Sequence, residues 1–158
     1  MAIKGTKHET VAESKQIVCF KIGKEEYGLD ILLVQEILKL PEITKLPKAA
    51  DYVLGVIDLR GKIIPVTDLS IKFGLTVTRT APPSRGIVVS LEDKQIGLAI
   101  DSVSHVVRVN DNDIEPPPIV KGISGKYIVG VARIETGFVI ILDITKIFSA
   151  EEISALQG

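Results

Sequence analysis

The 158-residue chain carries 19 Lys+Arg against 20 Asp+Glu, a net charge of −1, and 46% of it is apolar. That apolar share suffices for the packed core of one or two small domains. Near-neutrality excludes a phosphate-backbone binder, which needs a basic excess, and 4 Phe, 3 Tyr and no Trp leave little for a base-stacking platform.

Residues 1–15 are polar throughout and read as a flexible N-terminal tail without a signal-peptide core. Strand-like runs follow at short spacing: Ile17–Ile22, Val34–Leu40, Tyr52–Leu59, Lys62–Thr67, Gly86–Leu91, Gln95–Ile100, Val103–Val109, Ile128–Ile134 and Phe138–Leu142. Turn chemistry separates them at Gly23-Lys24-Glu25, Arg60-Gly61, Glu92-Asp93-Lys94, Asn110-Asp111-Asn112 and Glu135-Thr136-Gly137. The composition agrees, since 23 Ile and 17 Val are stiff β-branched side chains suited to pleated surfaces. Short helices are expected at Asp68–Phe73, Asp143–Phe148 and Ser149–Leu156, each with Asp or Ser where an N-cap sits. Pro82-Pro83 marks a boundary between two halves, and Pro116-Pro117-Pro118 reads as an exposed, extended loop. The longest apolar runs are too short to cross a bilayer, so a soluble, cytoplasmic protein with no membrane insertion is expected.

The chain resembles itself. A shift of 75 residues places Tyr52 on Tyr127, Gly55 on Gly130, Val56 on Val131, Asp68 on Asp143 and Phe73 on Phe148 without a gap. Upstream, a shift near 70 places Ile17-Val18 on Ile87-Val88, and with one residue removed Gly28-Leu29 on Gly97-Leu98, Val34 on Val103 and Ile37 on Val106. One unit of about five strands therefore occurs twice, enough to curl into a small barrel with few free edges. The predicted organisation is a tail (1–15), a first barrel (16–81), a second barrel (84–148) and a C-terminal helix or tail (149–158). What both copies share serves the scaffold. Asp68 and Asp143 read as N-caps rather than catalytic acids, and Gly55, Gly130, Gly28 and Gly97 suggest close backbone approach or a bulge.

No catalytic constellation is present. The sequence holds no G-x-S-x-G, H-E-x-x-H, P-loop or G-x-G-x-x-G. Cys19 reads as a small buried hydrophobe and His105 as an exposed strand residue. One Cys and two His (His8, His105) supply neither a cysteine cage nor a three-His metal site, so no metal or cofactor is expected. Arg60 is the residue that differs most tellingly between the copies, because Glu135 stands opposite it. An Arg at an exposed turn offers a planar five-donor fork for a partner's carboxylate or carbonyl, the alternative being a solvated turn charge. Val34–Leu40 and Val103–Val109 are more apolar than a one-sided sheet needs, which suggests either inter-barrel core or a groove for a partner helix.

Gly55-Val56-Ile57-Asp58-Leu59-Arg60-Gly61-Lys62-Ile63-Ile64-Pro65-Val66-Thr67-Asp68-Leu69 resembles the signature of CheW, the coupling-protein family of bacterial chemotaxis. Glu26–Ile31, Val34–Ile37, Gly97–Val103 and Tyr127–Val131 are similar to the same family, and the resemblance runs from about Lys15 to Phe148. One departure is Asp58, where the family usually has Asn. The resemblance implies an all-β fold of two tandem SH3-like five-stranded barrels with short helices, and no catalysis. With no room for a kinase or receiver domain, it implies a free-standing adaptor between the cytoplasmic tip of chemoreceptors and the regulatory domain of the chemotaxis histidine kinase. It places Ile31, Val34, Val103 and Val106 in a receptor-binding groove, with Arg60 at its mouth. It places Glu36, Pro41, Ile43, Leu46 and Gly55 against the kinase. The runner-up is a non-catalytic double barrel binding a peptide or small ligand in another signalling pathway.

Overall fold

The structure, a computed structural model, describes residues 14–75, 81–116 and 125–157. Its strands are β1 (Ser14–Ile22), β2 (Glu25–Asp30), β3 (Val34–Lys39), β4 (Val53–Leu59), β5 (Lys62–Asp68), β6 (Arg85–Leu91), β7 (Lys94–Ile100), β8 (Ser102–Asn110), β9 (Ile114–Glu115), β10 (Ile128–Ile134) and β11 (Gly137–Leu142). Three short helices follow the predicted positions: α1 (Leu69–Lys72), α2 (Ile144–Ile147) and α3 (Ala150–Gln157). The sequence reading missed β2, whose Glu-Glu-Tyr-Gly-Leu-Asp holds only two apolar side chains. Ser14 and Lys15, expected in the tail, open β1, while residues 1–13, Pro117 and Pro118 lie outside the described residues.

The strands form two sheets, ordered β8-β1-β2-β11-β10-β9 and β3-β6-β7-β5-β4. This corrects the division at Pro82-Pro83. β1 and β2, from the first half, pair with β8 and β11 of the second. β6 and β7, from the second half, pair with β3 and β5 of the first. Each copy of the repeat thus lends its first two strands to the other copy's last three. One barrel is built from residues 34–100, and it interrupts the other, which uses residues 14–30 and 102–142.

The two sheets obey one pattern. Both contain a parallel step, β5 beside β7 and β11 beside β2. Both edge strands carry an irregularity at the same place, between Val34 and Glu36 and where Val103 and His105 meet Phe20 and Cys19. Register also corrects the upstream repeat. Cys19 pairs with Gly28 and Val88 with Gly97, so the shift is 69 throughout, Val18 falls on Ile87, and no residue is removed. The difference matters, because a slip of one residue exchanges the two faces of a strand. Val18, Phe20 and Ile22 face a large central cluster shared by both sheets, as do Ile87, Val89 and Leu91. Cys19 faces the interior of the interrupted barrel, and Val88 that of the contiguous one. With both faces buried, a near-continuous apolar run needs no polar alternation.

The duplicated aspartates are N-caps in both copies. Asp68 Oδ1 accepts from the Ser70 N–H at 2.9 Å and Asp143 Oδ1 from the Thr145 N–H at 3.2 Å. Their own N–H groups donate to Tyr52 O and Tyr127 O, each at 2.8 Å. The paired rings cross between copies as the strands do, Tyr52 against Phe148 and Tyr127 against Phe73.

Candidate functional site: two grooves meeting on strand β3

β3 and β8 are the outer strands of their sheets, and they flank a groove of about 390 Å³ lined by Ile37, Leu38, Ser84, Arg85, Asp101, Ser102 and Val103. Register gives the reason. Val34, Ile37, Val103 and Val106 lie opposite Val89, Ile87, Phe20 and Val18, so all four face the layer between the sheets. Where that layer runs out, Ile37 and Val106 are left 43% and 48% exposed. Val103 therefore lines the expected groove. Ile31 and Val34 are half-buried against the central cluster and do not line it, whereas Ile37, which sequence reasoning left out of the site, does.

The chain leaving β3 lines a second groove, of about 500 Å³, with Pro41, Glu42, Ile43, Lys45, Leu54, Pro82 and Pro83. Two of the residues assigned to the kinase, Pro41 and Ile43, meet here. Leu46 is exposed and faces instead a smaller hollow beside Tyr52 and α3. Gly55 is buried beneath this segment, where Thr44 pairs with Val56 through bonds of 2.9 and 2.8 Å. A Cβ on Gly55 would come within 2.7 Å of the Thr44 carbonyl carbon and 2.9 Å of Ile43 Cγ2. Its role visible here is to let the strand approach, as Gly130 lets Ile114 and Glu115 approach in the other barrel.

Arg60 and Glu36, assigned to different partners, are brought together. Arg60 Nη1 donates to Glu36 Oε2 at 3.1 Å and Nη2 donates to Glu36 Oε1, a bidentate pair. The two residues come from opposite edges of one sheet, β3 and the β4–β5 hairpin, so the pair staples the barrel's seam. The hairpin turn is tight. Leu59 pairs with Lys62, and both Arg60 (φ 53°) and Gly61 (φ 86°) are left-handed, as a twisted two-residue hairpin requires. Asp58 Oδ1 accepts from the Gly61 N–H at 2.9 Å, and that contact asks only for an acceptor, which Asn would also supply. The hydrogen bonds from Arg60, reinforced by its charge, hold the Glu36 carboxyl below the usual range, and Glu36 raises Arg60 in return. Arg60 remains 70% exposed, and the fork retains three N–H donors for another group.

A second polar knot ties α3 to the first copy. Ser149 and Glu152 form a capping box, Ser149 N–H to Glu152 Oε1 at 2.8 Å and Glu152 N–H to Ser149 Oγ at 3.0 Å. Glu152 Oε2 also accepts from Lys72 Nζ at 2.7 Å and Tyr52 OH at 3.2 Å. Burial pushes the Glu152 carboxyl up, but these donors and the Lys72 charge outweigh it and hold the group below its ordinary value. Burial, helped by the Glu152 charge, pushes the Tyr52 hydroxyl up to about 12.

The CheW-like domain family matches residues 16–152. The chain belongs to the CheW-like family. Among its curated relatives, "Chemotaxis protein CheW" of Treponema pallidum is 38% identical over 154 residues, covering 92% of this chain and 89% of that protein. The Helicobacter pylori protein of the same name is 33% identical, covering 93% and 89%. The crystal structure of the scaffolding protein TtCheW from Thermoanaerobacter tengcongensis superposes with a TM-score of 0.78 at 38% identity, covering 87% of this chain and 94% of that one. A CheW-like fold of two SH3-like barrels is therefore established, and the relatives are chemotaxis scaffold proteins. No described helix is long and apolar enough to cross a membrane.

Proposed function

We propose that this chain is a non-catalytic cytoplasmic adaptor that couples the cytoplasmic tip of chemoreceptors to the regulatory domain of the chemotaxis histidine kinase. One observation carries the reading: β3 and the segment leaving it line two separate grooves, so one short stretch, Ile37 to Ile43, can feel two partners at once. The groove between β3 and β8 takes the receptor helix against Ile37, Val103 and Val106, with Ile31 and Val34 supporting its floor. The groove at Pro41 and Ile43, with Leu46 nearby, takes the kinase domain. Glu36, held by Arg60, precedes Ile37 in β3 and leaves on the strand's opposite face.

Such an adaptor works by coupling free energy. Receptor and kinase bias each other's states only while both are held, and the effect is reciprocal. Modest grooves give modest affinity, and repetition in an array supplies avidity. The test is a titration of the full chain with a receptor cytoplasmic fragment and with the kinase regulatory domain, singly and together. The reading expects both to bind and to form a ternary complex. It fails if neither binds at concentrations on the order of tens of micromolar.

A further inference from the structure

Among the described residues, Glu26 Oε2 is the one buried side-chain oxygen or nitrogen without a hydrogen-bond partner. A desolvated, unpaired carboxylate oxygen is expensive, so its surroundings need an explanation. It faces His105 Nδ1 at 3.9 Å, beyond hydrogen-bond reach. Cys19 Sγ completes a trio in which the donor atoms of Cys19, Glu26 and His105 all lie within 4.8 Å of one another.

Strand register builds this cluster. β8, β1 and β2 are adjacent, and Cys19 pairs directly with His105. Glu26 pairs with Lys21, two residues along β1 from Cys19, so all three side chains leave on one face. Cys19 forms the floor, with no exposed surface, while the Glu26 and His105 side chains, 12% and 39% exposed, form the rim.

The scaffold does not require this set. The equivalent positions in the other barrel are Val88, Gln95 and Glu36. There Gln95 donates to Gln35, and Glu36 is neutralised by Arg60. In the interrupted barrel Glu135 stands where Arg60 would be and His105 where Glu36 would be, so the ion pair of the contiguous barrel has no counterpart at these positions.

We propose that Cys19, Glu26 and His105 bind one divalent cation of borderline softness, Zn²⁺ or Co²⁺, with water in the fourth position. Thiolate sulfur, imidazole nitrogen and carboxylate oxygen form the mixed donor set these ions take in tetrahedral sites. Metal–ligand bonds of about 2.0–2.3 Å need the three donors drawn in by about 1 Å, which rotation of the two rim side chains provides. Charge balances. The thiol proton leaves to solvent, and thiolate plus carboxylate neutralise the dication. The site is independent of the adaptor reading and stands or falls without it.

The test is a Co²⁺ titration of the chelator-treated full chain, followed by Zn²⁺. The expected result is a saturable near-ultraviolet thiolate-to-cobalt charge-transfer band at one Co²⁺ per chain, displaced by Zn²⁺. Zn²⁺ should raise the melting temperature of the parent chain but not that of Cys19→Val. Glu26→Gln and His105→Ala should each weaken Co²⁺ binding at least about tenfold. Cys19→Val and Glu26→Gln install the residues of the other barrel, and circular dichroism without metal checks their folding. Should Cys19→Val misfold, the rim variant Glu26→Gln decides alone. No band, a band of undiminished affinity in His105→Ala or Glu26→Gln, or stoichiometric binding by folded Cys19→Val would each overturn the site.

Discussion

Arg60 shows how far a single position can be read. Comparing the two copies singled it out, because Glu135 opposite it shows that the fold needs no cation there. Its intramolecular partner was not legible, since Glu36 lies 24 residues away on another strand and only barrel curvature brings the two together. The turn charge is therefore exposed but already paired within the chain. Arg60→Glu should abolish partner binding while moving the melting temperature by no more than a few degrees, because exposed pairs contribute little to stability. The swap Glu36→Arg with Arg60→Glu should restore the melting temperature but not binding; recovered binding would mean that the pair acts only as a staple. Glu152 gives the opposite kind of prediction. Its carboxyl is depressed, so its contribution is complete above the ordinary carboxylate range and is lost as pH falls through the lowered value. Tyr52 is raised from 10.0 to about 12, so its share is complete below 10.0 and is lost as pH rises through about 12. Melting curves against pH should show an acid limb that Glu152→Gln flattens, and Ser149→Ala should cost about 1 kcal/mol through the lost cap.

Strands with β-branched runs were found from sequence to within a residue or two, except that β1 opens at Ser14, three residues before Ile17. β2 was not, because its neighbours rather than its own side chains supply its stability: β1 on one edge and β11 on the other. The upstream repeat was placed one residue off for a similar reason. In a run apolar on both faces, Ile17-Val18 and Val18-Cys19 look alike, and only the ladder decides which face each side chain takes. Gly55 illustrates packing between elements. Gly55→Ala should cost about 2 kcal/mol or more, because the added Cβ (at φ 147°) meets Thr44 and Ile43. Gly61→Ala, left-handed but with open space around it, should cost about 1 kcal/mol. Equal losses in thermal melts would refute a clash at Gly55. The grooves were legible only in part. Excess apolarity on β3 and β8 announced a surface, but which of Val34 and Ile37 stays exposed depends on where the central cluster ends.

At the scale of the whole molecule, the sequence revealed two barrels but not how the chain is shared between them. Self-similarity reports which strands are alike, and exchange of strands between copies leaves that likeness unchanged. The central cluster then joins both sheets and α3 into one packed body. Fragments separated between residues 81 and 84 should each remain unfolded by circular dichroism and regain structure when mixed. Two independently folded halves would contradict the shared strands. The intact chain should melt in a single transition, seen alike by far-ultraviolet circular dichroism and tyrosine fluorescence.

The interruption of one barrel by the other also orders events during synthesis. β1 and β2 leave the ribosome first, yet β8 and β11, which flank them, are made some 70 to 110 residues later. The barrel of residues 34–100 is complete well before that. Its early closure gathers the sheet face against which Phe20 and Tyr27 finally pack. Translation thus leaves the first hairpin waiting with two aromatic rings unburied, an opening for chaperones on the nascent chain.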